Sequence, residues 1–175
     1  MSKAFNDLFA QINRAKLPPV ALWQPDHVGE IDIRIAADGT WFHEGREIFR
    51  KGIAKIFSTI LRREGEAYFL VTPAEKLRIQ VDEVPFVAID VEAAGVGVEQ
   101  RVLFKTNLDE VVMLDANHAL RIEQRATGPR PFVHVRDSLE ARLLSGVFYQ
   151  LAEFVEDPES EPLTLWSNGH LFQVS

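Results

Sequence analysis

Apolar residues recur at helical spacing in three stretches of the chain and alternate with polar ones over most of the rest. The first stretch covers residues 2–16, where Phe5, Leu8, Phe9 and Ile12 fall on one helical face and Asn6, Asp7, Asn13 and Arg14 on the other. Ser2 is placed to cap this helix, and Leu17-Pro18-Pro19 ends it, because proline cannot continue the hydrogen-bond ladder. The second stripe is Phe49, Ile53, Ile56, Phe57 and Ile60, with Gly65 as its expected stop. The third runs from Asp137, where Asp137 and Glu140 resemble a capping box, through Leu139, Leu143, Leu144, Val147, Phe148, Leu151 and Phe154.

Strand signals fill the intervals. Ile31-Asp32-Ile33-Arg34-Ile35 alternates, Asp38-Gly39 suits a tight turn, and Thr40 to His43 returns as a partner. Residues 67–72 and 77–81 predict a hairpin, as do 163–166 and 170–174 around Asn168-Gly169. Between them, 86–91, 100–105, 110–114, 119–124 and 132–135 predict a curved antiparallel sheet. A helix followed by a hairpin thus occurs twice, over about 46–81 and 137–175, which points to two related α+β halves. The boundary falls at Val84-Pro85, giving residues 1–84 with the leading helix and 85–175 with a curved sheet plus helix.

Composition narrows the field by exclusion. With 46% hydrophobic and 26% charged residues the chain can bury a core and is not a disordered polymer. The absence of cysteine removes disulfides, thiolate metal sites and cysteine nucleophiles. A net charge of −7 argues against broad nucleic-acid binding. The opening residues lack the apolar core of a signal peptide and no run of about 18 apolar residues exists, so the expected location is cytoplasmic, with no membrane span.

Catalytic and cofactor motifs are largely missing. His43-Glu44-Gly45-Arg46-Glu47 lacks the second histidine of a zinc helix, and Gly95-Val96-Gly97 has Gln100 where a dinucleotide fingerprint needs glycine. There is no P-loop and no Gly-x-Ser-x-Gly elbow. Asp115-Ala116-Asn117-His118 reads first as an Asx turn with an exposed histidine, although an acid and an imidazole in one loop also suit a general base. No metal, cofactor or catalytic residue is therefore assigned. The charge is uneven, however. Arg46, Arg50, Lys51, Lys55, Arg62 and Arg63 face only Glu47 between positions 46 and 63, and Arg121, Arg125, Arg130 and Arg136 form a second basic stretch. Guanidinium forks hold phosphates and carboxylates, and Trp41, Trp166 or Tyr149 could stack a flat group.

A set of short words then resembles a known family. Gly29 to Ile35 with Asp38 to Phe42, Leu61-Arg62-Arg63, Tyr68 to Lys76, Pro85 to Ala88, Thr106-Asn107, His118 to Arg121, Val147-Phe148-Tyr149 and Trp166-Ser167 are similar to the bacterial domain-of-unknown-function family 1285. Ala119 departs from it where proline is expected. The resemblance implies a duplicated α+β core, a C-terminal half loosely like a pleckstrin-homology domain, and a small ligand between the halves, nucleotide-like, with a role in signalling. The expected function is a non-catalytic binding protein for a small anionic ligand, held by Arg34, Arg62, Arg63, Lys76, Arg121 and Arg136 with Trp41 and Trp166 as stacking surfaces. The alternatives are a protein-interaction module, and a hydrolase-type enzyme using His118 or His43 as base.

Overall fold

The computed structural model describes residues 2–12 and 16–175. Helix α1 (Lys3–Phe9) starts where Ser2 Oγ accepts a hydrogen bond from the Phe5 amide at 3.1 Å. It ends well before residue 16, and the expected helical positions 13–15 lie outside the described residues. Phe5 and Leu8 pack with Ala94 and Leu103, and Ile12, Val111 and Met113 close over them. The leading helix was expected with residues 1–84; it belongs instead with the C-terminal sheet, because its apolar face is buried there. One compact unit comprises Met1–Arg14, Phe86–Arg136 and Glu140–Ser175, and the other Ala15–Pro85 with Asp137–Leu139.

Each unit contains one six-stranded sheet, and the two sheets share a topology. The first has β1 (His27–Ile35), β2 (Trp41–His43), β3 (Arg46–Glu47), β4 (Leu61–Glu64), β5 (Ala67–Val71) and β6 (Glu75–Val81), in the order β3-β2-β1-β6-β5-β4. The second has β7 (Phe86–Ala94), β8 (Arg101–Thr106), β9 (Val111–Met113), β10 (Leu120–Arg125), β11 (Gly128–Arg136) and β12 (Leu139–Leu143), in the order β10-β11-β12-β7-β8-β9. Counted from each sheet's own first strand, both read 3-2-1-6-5-4. Two three-stranded meanders meet at a parallel pair of first and last strands, β1 with β6 and β7 with β12. The fold is α+β in two similar halves, and the sheets are mixed rather than purely antiparallel.

The duplication therefore has a different phase from the one the sequence pattern suggested. The repeated object is the sheet, 27–81 against 86–143. In the first half the chain passes from β3 to the far edge through helix α2 (Lys51–Thr59); in the second only Leu114–Ala119 separates β9 from β10. A flat six-stranded sheet would be about 24 Å across, roughly the full reach of that short crossover if it were extended. The crossover is not extended, since His118 N donates to the Asp115 carbonyl and Leu114 N to that of Val102, so this sheet has to curl its edges toward each other.

Two expected helical segments are strands. Asp137 and Ser138 have φ of 46° and 65°, the left-handed pair of a tight hairpin turn, so they join β11 to β12 and do not cap a helix. Leu139, Ala141 and Leu143 are buried in alternation, and only Ser145–Ala152 forms the helix, α3. The leucine spacing had fitted both periods. Likewise Gly65, at φ 61°, turns β4 into β5 instead of ending a helix.

The last hairpin, β13 (Thr164–Ser167) and β14 (His170–Gln173), stands apart as a two-stranded sheet, with Asn168 and Gly169 both at positive φ in its turn. Gln100 binds it, its Nε2 donating to the Phe154 and Trp166 carbonyls and its own carbonyl accepting from Asn168 N. The Gly95-Val96-Gly97 stretch turns the chain from β7 toward Gln100. Gly95 has φ 83°, and a Cβ there would lie 2.5 Å from the Glu99 carbonyl oxygen. Ser167 is fully buried, and its Oγ accepts the Val102 amide at 2.9 Å. Ser167→Ala leaves that amide buried and unpaired, and the expected loss is about 1–3 kcal/mol in urea unfolding. A change within about 0.5 kcal/mol would show that the hydroxyl contributes little there.

Candidate functional site

Directly opposed residues in neighbouring strands project from the same face of a sheet. In the first sheet Phe42, Arg34 and Gln80 are opposed in turn, as are Glu30, Arg78, Phe69 and Arg62. Alternation along β6 puts Lys76 on the same side. Three of the expected ligand contacts, Arg34, Arg62 and Lys76, therefore share one polar sheet face. The Ile33, Ile35, Trp41 and Ile79 side chains fill the core on the other.

An irregularity crosses the middle of that face. The parallel register runs from His27↔Glu75 to Glu30↔Arg78, then resumes at Arg34↔Gln80. Four steps along β1 thus match two along β6, and Ile31, Asp32 and Ile33 oppose Ile79 alone. Such a bulge lifts backbone out of the ladder and re-aims side chains. A depression of about 380 Å³ opens there, lined by residues 30–33 and 78–80. The Asp32 carbonyl turns the other way and accepts the Glu44 amide. Among the described residues the side chains of Glu30, Asp32 and Arg78 make no hydrogen bond or ion pair, so three charges stand unpaired around one opening.

The cations nominated by sequence are placed otherwise. Arg34 donates to Asp82 at 2.6 Å and lies over the Phe42 ring. Arg62 reaches the Val20 and Trp23 carbonyls and pairs with Glu64, which also accepts Lys76 Nζ at 3.0 Å. The Lys76 hydrogen bond, with the charges of Lys76 and Arg62, outweighs burial and holds the Glu64 carboxyl below its ordinary range. Arg63 donates to the Gly65 and Ser138 carbonyls and covers Tyr68 on the opposite face from Arg62. Arg121 makes a fork to Glu140, bonds Glu123 and covers Phe132; Arg136 makes a fork to Glu110 and covers Phe86. Trp41 is only 2% exposed and stacks on Phe57, which leaves no face for a ligand. Trp166 donates its indole N–H to Glu156. These residues do not form one set: Arg121, Arg136 and Trp166 belong to the unit with α1 and α3, the others to the first sheet's unit.

His118 and His134 are tied into a turn. Asp115 accepts the Asn117 and His118 amides and lies 2.9 Å from His118 Nδ1, an Asx turn that shapes the crossover between β9 and β10. His134 Nδ1 lies 2.8 Å from the Asn117 carbonyl oxygen, and its ring is 6.2 Å from that of His118. His43 is exposed at the end of β2. No group of three or more histidines and carboxylates could hold a metal among the described residues. The unpaired trio escaped sequence reasoning, although the alternation from Glu30 to Ile35 already aligned Glu30, Asp32 and Arg34; the bulge that opens the ladder has no signature in the residues.

The sequence profile described as "Domain of unknown function (DUF1285), N-terminal domain" matches residues 18–84, and "Protein of unknown function (DUF1285), C-terminal domain" matches 85–174. The chain is similar over 99% of its length, at 40% identity and a TM-score of 0.84, to a crystal structure of a DUF1285 family protein from Silicibacter pomeroyi DSS-3, 94% of which is covered. It is also similar to a DUF1285 family protein from Shewanella baltica OS155, with 23% identity, a TM-score of 0.56, and 69% and 90% of the two chains covered, a likeness of fold. No curated protein matches. No helix among the described residues is long and apolar enough to cross a membrane.

Two tests separate structural charges from binding ones. Burial opposes ionisation of Asp115, but the hydrogen bonds from His118 and two amides, with the His118 charge, outweigh it and hold its pKa low. A depressed folded value gives stability that is present above the unfolded aspartate value of about 3.9 and lost as pH falls through the folded one. Asp115→Asn is expected to lower stability by about 1 kcal/mol near neutral pH and by almost nothing in strong acid, read from melts across pH. Arg136→Ala, which strands a mostly buried Glu110, should cost about 2 kcal/mol in urea unfolding, and Arg34→Ala, at a half-exposed pair, under about 1 kcal/mol.

Proposed function

The chain belongs to the DUF1285 family, and from that premise we propose that it is a non-catalytic binding protein. Its ligand is small and nucleotide-like, combining an anionic group with hydroxyl or amino donors. The site is the depression at the β1 bulge. The observation that carries the reading is the unpaired trio: Arg78 can take the anionic group, and Glu30 and Asp32 can accept from the donors. An entirely anionic ligand would meet two carboxylates there, so the charges favour a molecule with both kinds of group. Arg34 and Lys76, tied to Asp82 and Glu64 on the same face, supply positive potential at the rim without giving up their partners.

This reading keeps the ligand class expected from sequence and moves its contacts. Trp41 and Trp166 have no part in it, and Arg62, Arg63, Arg121 and Arg136 act as clamps in their own units. The protein reports occupancy instead of transforming its ligand, and that is the sense in which a signalling role is proposed.

The experiment is a thermal-shift and calorimetric screen with nucleoside mono- and diphosphates and inorganic phosphate at millimolar concentration. A ligand that binds the folded state raises the melting temperature by mass action. Arg78→Ala is expected to weaken binding by about tenfold or more, with Asp32→Asn acting in the same direction, since each removes a charge-assisted bond. All three lining charges are exposed, so the variants should melt like the parent. Absence of any shift, or unchanged affinity in both variants, would refute the proposal.

A further inference from the structure

The apolar stripe predicted at Phe49, Ile53, Ile56, Phe57 and Ile60 divides in the structure: Phe57 and Ile60 are partly buried, and Phe49, Ile53 and Ile56 face outward. Phe49 is 84% exposed, Ile56 66% and Ile53 39%, while the helix attaches to its unit through buried Ala54 and Ser58 and through Phe57, stacked on Trp41. At 100° per residue, Ile53 and Ile56 point about 150° away from Ala54 and Ser58. The crest offers no hydrogen-bonding group: Thr59 Oγ1 donates back to the Ile56 carbonyl and Ser58 Oγ to that of Lys55. Arg50 and Lys55 lie on opposite sides of the crest, Lys51 begins the helix and Arg46 precedes it.

From this arrangement we infer that the crest of α2 docks on an anionic lipid surface. Three large apolar side chains enter the acyl boundary, and the flanking cations, on long flexible stems, reach the headgroups. Charge argues against a second copy as the occupant. Any two-fold pairing of crest on crest sets Arg50 or Lys55 of one molecule against Arg50 or Lys55 of the other. The contact is apolar plus electrostatic with no directional bond, which a fluid anionic bilayer satisfies and which gives a protein partner nothing to orient by. The net charge of −7 on the whole chain does not cancel the attraction, because charges beyond roughly 8 Å are screened at physiological salt. This surface is independent of the bulge depression.

The test is co-sedimentation with vesicles of mixed phosphatidylglycerol and phosphatidylcholine, against vesicles of phosphatidylcholine alone. Binding is expected to the anionic vesicles only and to fall as salt rises. The double variants Ile53→Gln/Ile56→Gln and Arg50→Glu/Lys55→Glu should each weaken it by about tenfold or more. The salt titration of the parent chain serves as the second measure should a variant fail to fold. No binding to anionic vesicles, equal binding by folded variants, or a dimer in sedimentation velocity that the isoleucine variant abolishes would overturn the inference. So would salt-insensitive binding to both kinds of vesicle.

Discussion

Parallel pairing of a first strand with a sixth strand is the contact on which each half depends. A meander alone gives three strands with two open edges and one face to cover. Setting two meanders edge to edge removes one edge from each and places the joining strands, β1 with β6 and β7 with β12, at the centre of the sheet. The long sequence separation of those partners means that the intervening chain must be ordered before the pair can close. In the first half that ordering includes α2; in the second it includes the Asx turn at Asp115, whose bonds shape a crossover too short for a flat sheet.

The same central pair carries the candidate site. A parallel ladder is regular, so an excess of two residues on β1 has nowhere to go except out of the plane. Inside the bulge Asp32 has no residue of its own opposite it on β6, and Glu30 and Arg78, opposed at the edge of the bulge, line the opening with it. Several arginines elsewhere are paired. Arg136 over Phe86 and Arg121 over Phe132 each cover a buried ring with the flat guanidinium while the fork engages a carboxylate. Those arginines resemble ligand contacts in sequence because the chemistry that holds a phosphate also holds a glutamate.

The sequence made the strands legible wherever alternation was unambiguous. The hairpins at 67–81 and 163–174, the Ser2 cap and the Asn168-Gly169 turn are local features, and local chemistry suffices for them. Leu139 to Leu143 could be read as helix or strand because its leucines fit both periods, and only pairing with β7 chose the strand. The helical stripe of Phe49, Ile53, Ile56, Phe57 and Ile60 is legible in the sequence, but amphipathicity says that a helix has an apolar face and not what each part of that face meets.

Residue order by itself determined that this is an α+β protein of two similar halves without cysteine chemistry, and supplied the words that resemble its family. Tertiary structure alone decided which strands became neighbours, which arginines were already occupied, and which charges were left over. The physical reason is that turns and periodicity act over a few residues, whereas a bulge and an ion pair between Arg34 and Asp82 depend on segments brought together only when the sheet closes.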